Sequence, residues 1–163
     1  MSRYLLPLAL TAAVGLAACG HTRPHHAQAH PKAHAPMQAT QTVTSRYNFN
    51  DTVSRLENAI QSRGMTVFTV IDHQAAAQQT GLTMQPAKVI VSGTPKAGTP
   101  LMVKDPAFAL QLPLKVLVTE VNGQTQVMFT DTRALIAGSK IDYSEVENTL
   151  ANAETLIRKV VSE

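Results

Sequence analysis

The pattern of apolar and polar residues predicts strands and helices in the second part of the chain. Runs rich in β-branched and aromatic side chains predict five strands, at residues 42–47, 65–71, 88–92, 114–121 and 125–130. Asn122-Gly123 lies between the last two and is typical of a type I′ hairpin turn. These two strands are therefore expected to be antiparallel neighbours.

Two helices are predicted where apolar residues recur every three or four positions. The first spans residues 51–63, with Asn50 as its amino-terminal cap and Gly64 as its left-handed stop. The second is predicted as one continuous helix, with Ser144 and Glu147 at capping-box spacing. Its apolar face comprises Tyr143, Val146, Leu150, Ala153, Ile157 and Val160.

The order of these elements predicts the fold class. A strand, a helix, several strands and a final helix indicate an α+β domain over residues 45–163. Its sheet is expected to be antiparallel, with two main helices on one face. A domain of about 119 residues supports a modest core without disulfides, and the chain has only one Cys.

The charge is distributed unevenly along the chain. The 163 residues include 14 Lys and Arg against 11 Asp and Glu, for a formal net charge of +3. Arg3, Arg23 and Lys32 supply the whole excess, so residues 45–163 are neutral. Because a nucleic-acid-binding surface needs clustered Lys and Arg and aromatic side chains that stack on bases, no nucleic-acid partner is expected.

The amino terminus has the features of an export signal. Arg3 precedes an apolar run at residues 5–16, which is too short to cross a bilayer as a helix and has the length of a signal-peptide core. The run ends in Leu16-Ala17-Ala18-Cys19, which resembles the bacterial lipobox, where the lipoprotein signal peptidase cuts before a diacylated Cys. An ordinary signal peptide followed by a chance Cys is the alternative.

The resemblance to a lipobox implies a location in the cell. Residues 1–18 would be removed as a lipoprotein signal peptide, and the acylated Cys19 would anchor the protein in the lipid bilayer. Gly20 after the Cys is compatible with export to the outer membrane. The expected location is therefore the periplasm-facing side of the bacterial cell envelope, and no thiol remains for catalysis.

Residues 19–44 are predicted to form a disordered tether, because they are rich in Ala, His, Pro, Gln and Thr and have few large apolar residues to bury. Imidazoles bind zinc and copper, so five side chains are candidate metal ligands: His21, His25, His26, His30 and His34. The alternative is a polar spacer that becomes cationic below about pH 6.5. Irregular spacing and the lack of neighbouring carboxylates favour the spacer, and no cofactor is expected.

Asp72-His73 is a candidate site because it directly follows the strand at 65–71, where side chains emerge at the edge of a sheet. His73 is a candidate acid, base or metal ligand. In the structural alternative, Asp72 caps the Ala-rich segment at 74–79, and His73 is a hydrogen-bonded structural residue.

A predicted loop at residues 93–100 is dense in Gly and Pro and contains one cation, Lys96. Glycine amides together with this cation are suited to a carboxylate or a phosphate. The order of residues differs from that of a P-loop, so nucleotide binding is not expected. Met102 follows the loop as a candidate copper ligand or, alternatively, as core packing.

At these positions the chain resembles the bacterial family called domain of unknown function 302, over roughly residues 45–163. The resemblance is carried by Phe49-x-Asp51-Thr52-Val53-x-x-Leu56, Gly64-Met65-x-Val67-Phe68, Ile71-Asp72-His73, Gly93-x-Pro95-Lys96-Ala97-Gly98-Thr99-Pro100-Leu101-Met102 and Leu112-Pro113-Leu114-Lys115. Thr94 and Gln111 depart from the family, which commonly has Asn and Asp there. The resemblance implies a β-α-β4-α fold like that of the TATA-box-binding protein, without DNA binding, and a homodimer.

Three functions are compatible with the sequence. The leading hypothesis is a module that binds a small ligand or an envelope partner, with four residues lining the site: Asp72, His73, Lys96 and Met102. The second is an envelope enzyme with His73 as the base and Lys96 as an electrostatic stabiliser. It lacks a nucleophile and a catalytic motif, so no catalytic residue is assigned. The third is a structural module with an exposed apolar patch.

Lipid anchoring predicts that the Cys19→Ala variant does not incorporate radioactive palmitate and does not fractionate with membranes. Both properties require the thiol that the acyl chains modify. The wild-type protein, expressed in the same bacterium, is the control. Palmitate labelling or membrane fractionation that persists in Cys19→Ala would show that the lipobox is not used.

Overall fold

The computed structural model describes residues 39–163. The predicted signal peptide at 1–18, Cys19 and the five tether histidines lie outside these residues. Within them, no helix is long and apolar enough to span a bilayer.

Five antiparallel strands form one sheet, in the order β1-β5-β4-β3-β2. The strands are β1 (Thr40–Thr44), β2 (Thr66–Asp72), β3 (Ala87–Gly93), β4 (Leu114–Val121) and β5 (Gln124–Thr130). Asn122 and Gly123 both have positive φ, at 52° and 76°, which confirms the predicted type I′ turn between β4 and β5.

The sheet begins earlier than the predicted domain boundary at residue 45. Thr40–Thr44, assigned to the tether, forms β1 and pairs with β5 along its whole length. The backbone groups of a strand form hydrogen bonds with a neighbouring strand whatever side chains it carries. A polar segment such as this one therefore leaves a weak signal in the sequence. After β1, the Ser45 hydroxyl accepts a hydrogen bond from the Tyr47 N–H at 3.2 Å, in the turn that leads to the first helix.

Within residues 39–163, two long helices and four short ones accompany the strands, three of them between strands and three after β5. They are α1 (Phe49–Ser62), α2 (His73–Gln79), α3 (Pro95–Lys104), α4 (Thr132–Ile136), α5 (Tyr143–Val146) and α6 (Leu150–Ser162), with a 3-10 turn at Pro106–Leu110. The long helices α1 and α6 cover one face of the sheet, which confirms the predicted α+β class and the β-α-β4-α order.

The first helix begins two residues earlier than predicted. Asn48, not Asn50, is the cap, since its side chain accepts a hydrogen bond from the Asp51 N–H at 2.9 Å. Gly64 has a φ of 72° and follows the end of α1, as the sequence indicates.

The main core lies between α1, α6 and the sheet. Its buried side chains are Phe49, Val53, Leu56, Ile60, Ile90, Val116, Val118, Val127, Phe129, Ile157 and Val161. A second cluster forms around the shorter segments and consists of Leu101, Phe108, Leu135, Ile141, Val146 and Leu150.

The predicted continuous last helix is in fact two helices. A turn at residues 147–149 separates α5 from α6, and Thr149 has non-helical φ and ψ of −127° and −82°. Val146 and Leu150 pack in the second cluster, whereas the later part of α6 packs in the main core. Asp142 is the amino-terminal cap of α5, and its N–H donates to the Glu145 carboxylate at 2.8 Å, so the capping box is this pair and not the predicted Ser144 and Glu147.

The predicted loop at 93–100 is mostly helical and forms the first part of α3. Pro95 occupies the first helical turn, where its missing N–H costs nothing. Pro100 lies inside α3 and donates no hydrogen bond to the turn before it. A segment rich in Gly and Pro is typical of a loop, and its helical state depends on the packing of Leu101 and Gly98.

Truncation of a core leucine is expected to destabilise the protein far more than the same change at the surface. Leu56 on α1 is 1% exposed and Leu110 is 82% exposed. Leu56→Ala should lower the free energy of unfolding by about 3–5 kcal/mol, since it leaves a cavity in the main core. Leu110→Ala should change it by less than about 0.5 kcal/mol. Urea unfolding measures both, and equal losses would contradict the described core.

Candidate ligand-binding cleft

Asp72 has a structural role at the junction of β2 and α2. Its carboxylate accepts a hydrogen bond from the Ala75 N–H at 2.9 Å and lies 3.5 Å from the Lys88 Nζ. The hydrogen bond from the Ala75 N–H is the largest cause that lowers the pKa of Asp72, and the charge of Lys88 lowers it further. The structure therefore shows the capping role that the sequence leaves as one alternative.

His73 is the first residue of α2 and is exposed. Within the part of the chain that the structure describes, its side chain makes no hydrogen bond, and no group of three or more His, Cys, Asp or Glu residues is arranged to hold a metal ion. The described residues therefore place no three-ligand metal site at this histidine.

The four residues predicted to share one site lie at two ends of the same strand pair. Asp72 is opposite Lys88 at the start of β3, whereas Thr66 is opposite Gly93 at its end. Five residues of an antiparallel strand span about 17 Å. Asp72 and His73 are thus separated from the α3 segment that carries Lys96 and Met102, and the structure does not bring the four residues together. Antiparallel pairing is the cause, since it puts the end of β2 beside the start of β3.

A cleft of about 560 Å³ lies beside α3 and the first turns of α6. Met65, just before β2, packs against the main core. Leu150 belongs to the second cluster, and Leu112 packs against it. The cleft therefore lies where the two clusters meet. Its large apolar side chains are Met65, Phe68, Met102, Leu112, Leu114, Leu150 and Leu156.

The rim and the floor of the cleft differ in polarity. Among the residues that line it, Arg63, Thr99, Asn148 and Asn152 are exposed, whereas Gly98, Leu150 and Ala153 are buried. Arg63 is the only charged residue of this lining, and the lining contains no Asp or Glu. The cleft thus combines an apolar floor with a polar rim of positive charge.

Phe68 reaches the cleft because β2 is irregular. The pairing of β2 with β3 shifts between Val67 and Thr69, so Phe68 is the extra residue of a β-bulge. Its ring is 50% exposed and lines the cleft. A bulge redirects a side chain that a regular strand would place elsewhere.

Two glycines allow the backbone to approach the cleft walls closely. A Cβ atom on Gly98 would lie 3.1 Å from a Leu112 methyl carbon, and one on Gly93 would lie 3.4 Å from the Phe68 ring. Both contacts are tight, so a side chain at either position would push these walls apart. This explains two of the glycines in the segment that the sequence singles out.

Of the four candidates from the sequence, Met102 lines the cleft and Lys96 does not, although Pro95 and Ala97 on either side of Lys96 do. Lys96 is exposed. Sequence reasoning missed Arg63, Phe68, Asn148 and Asn152. Phe68 belongs to one of the family-like motifs, but the turn that places the two asparagines is hidden by the continuous helical pattern around it.

The fold and the cleft define a small α+β domain with an apolar depression beside α3 and α6. The family described as domain of unknown function DUF302 matches residues 41–163, and the chain belongs to that family. The crystal structure of an uncharacterized conserved DUF302 protein from Bacillus stearothermophilus superposes with a TM-score of 0.63, at 21% identity, over 76% of this chain and 95% of that one. This similarity shows the fold.

The matched fold makes up 95% of that Bacillus chain, so a chain that consists almost entirely of this fold forms a folded protein. We conclude that residues 39–163 contain what is needed to fold independently.

Curated relatives are found in Brucella. The fluoride-specific ion channel FluC 1 of Brucella suis biovar 1 (strain 1330) is 38% identical over 89 residues, which are 55% of this chain and 35% of the relative. FluC 1 of Brucella abortus biovar 1 (strain 9-941) is also 38% identical over 89 residues, and 33% of it is covered. The chain spans about a third of the length of these relatives.

The capping role of Asp72 predicts a pH-dependent loss of stability in Asp72→Ala. The variant loses the acceptor for the Ala75 N–H and the partner of Lys88. At about pH 7, its urea unfolding midpoint should therefore be lower than that of wild type. Because the pKa of Asp72 is lowered from 3.8 in the folded protein, its stabilisation is present above 3.8 and is lost as the pH falls through the folded-state pKa. The difference from wild type should therefore shrink in acid below pH 3.8.

Asp72→Asn is the matched control, because an amide oxygen also accepts a cap hydrogen bond. It should retain more stability than Asp72→Ala at about pH 7. A pH-independent defect in Asp72→Ala would contradict the part assigned to its charge.

Proposed function

We propose that this protein is a lipid-anchored component of the bacterial cell envelope whose DUF302 domain binds a small, largely apolar molecule in the cleft between α3 and α6. The observation that carries the proposal is the cleft itself. Its volume of about 560 Å³ falls within the range of about 300–1,000 Å³ that small-molecule sites occupy. Its apolar floor and few polar groups are also typical of such sites.

The cleft leaves apolar side chains in contact with water. Side chains in protein interiors normally pack without large voids, and apolar surface left in water costs free energy. Here Phe68 is half-exposed at the cleft, and Met65 and Met102 form part of its walls. Methionine side chains are flexible and adapt to ligands of different shape. A bound apolar molecule would bury this surface.

Two observations support a location at a membrane. The lipobox-like sequence at Leu16-Ala17-Ala18-Cys19 supplies an anchoring site for acyl chains. The curated Brucella relatives are named as ion channels, which are membrane proteins. A periplasm-facing domain on a tether would place the cleft near lipids and envelope components.

Binding in the cleft predicts that residues 39–163 bind the uncharged dye Nile red at a single saturable site. Ala97 lies on α3 and lines the cleft, so Ala97→Trp fills it and should weaken dye binding by about tenfold or more. Dye fluorescence in a titration is the measurement.

Ala76→Trp is the matched control, since Ala76 is exposed on α2 and does not line the cleft. This variant should bind the dye like wild type, and circular dichroism should show that both variants are folded. Unchanged binding in a folded Ala97→Trp variant would overturn the proposal.

A further inference from the structure

We infer that the ligand of the cleft is an anionic amphiphile, a molecule with an apolar chain and a carboxylate or phosphate head that Arg63 binds. The inference rests on the proposed function, because it assigns a chemical class to the ligand of the same cleft.

The polarity of the lining carries the first step. Every polar side chain at the rim is at least partly exposed, and the buried lining residues Gly98, Leu150 and Ala153 have no polar side-chain atoms. A uniformly polar ligand would lose hydration on the floor, whereas a uniformly apolar one would leave the rim groups to water and gain nothing from them. An amphiphile uses both surfaces, with its chain on the floor and its head at the rim.

The charge of the rim carries the second step. Arg63 follows the last residue of α1 and is the only charged residue of the lining. Within residues 39–163, its guanidinium forms no ion pair and no hydrogen bond with another side chain. Since the lining has no carboxylate that would attract an ammonium group, the favoured head is an anion.

The chemistry of arginine narrows the head further. A guanidinium presents paired N–H groups that match the two oxygens of a carboxylate or a phosphate. Thr99, Asn148 and Asn152 lie on the same cleft and provide hydroxyl and amide groups for further hydrogen bonds to such a head. A free fatty acid and a phospholipid share this chemistry.

Displacement of Nile red from residues 39–163 tests the inference with two series of ligands. One series is the straight-chain carboxylates from hexanoate to tetradecanoate, and the other is the primary alcohols of the same lengths. Each compound is kept below its micelle concentration. Affinity should rise by about fourfold for each added methylene until the floor is filled. Each carboxylate should bind about three- to tenfold more tightly than its alcohol, as expected for an ion pair at a partly exposed site.

Arg63→Gln should abolish the preference for carboxylates and leave the affinities for the alcohols and the dye unchanged. Arg55→Gln is the matched control, because Arg55 lies on α1, which ends just before Arg63, and because it is exposed and does not line the cleft. It should retain the preference. Circular dichroism and thermal melts check that both variants fold.

The source of the ligand follows from one comparison, of decanoate with monomeric dihexanoyl phosphatidic acid. Tighter binding of decanoate indicates a free acid, and tighter binding of the phosphatidic acid indicates a phospholipid. Either result supports the inference if Arg63→Gln weakens the binding of the preferred anion.

The failure of the inference is distinguishable from the failure of the proposed function. In one outcome, Ala97→Trp blocks the binding of the dye and the alcohols while carboxylates bind no more tightly than alcohols. That result would overturn the inference of an anionic head, and the cleft would remain a binding site. A preference for carboxylates that survives Arg63→Gln also overturns the inference. If none of these molecules binds, the proposed function itself fails.

Discussion

The burial of one face of the five-stranded sheet beneath α1 and α6 is the constraint on which the other elements depend. Ile90, Val118 and Val127, from the three central strands, are completely inaccessible to solvent. The removal of such apolar surface from water is the dominant favourable contribution to folding. Because the two long helices use their apolar stripes for this purpose, α3, α4, α5 and the 3-10 turn pack around a second cluster that includes Phe108 and Val146.

The cleft is a consequence of having two clusters in one small domain. Contacts in the main core hold Met65, and contacts in the second cluster hold Leu112 and Leu150. The space between these side chains is left open as the cleft. Phe68, displaced by the bulge in β2, forms part of the wall that results. The break before α6 brings Asn148 and Asn152 to the rim. In the proposed function, the shape of the floor and the charge of the rim select the ligand.

Most of the fold could be predicted from the sequence, because its signals are local. The hairpin at Asn122-Gly123 and the stop at Gly64 depend on backbone angles that few residues adopt, so these residues identify them. The site was much less predictable. Asp72 and His73 are conspicuous polar residues after a strand, yet Asp72 caps a helix and His73 is exposed. Of the predicted site residues, only Met102 lines the cleft, and a methionine alone does not distinguish a binding wall from a core.

By itself, the sequence determined the fold class and the neutrality of residues 45–163, because hydrophobic period, turn residues and charge are properties of neighbouring positions in the chain. Its motifs also resemble those of the family to which the chain belongs. The tertiary structure decided which residues share a site. Antiparallel pairing separated Asp72 from Lys96 by the length of a strand, and the meeting of two apolar clusters placed Arg63 beside segments many residues later in the chain. Such placements depend on contacts between distant segments, and no local pattern encodes them.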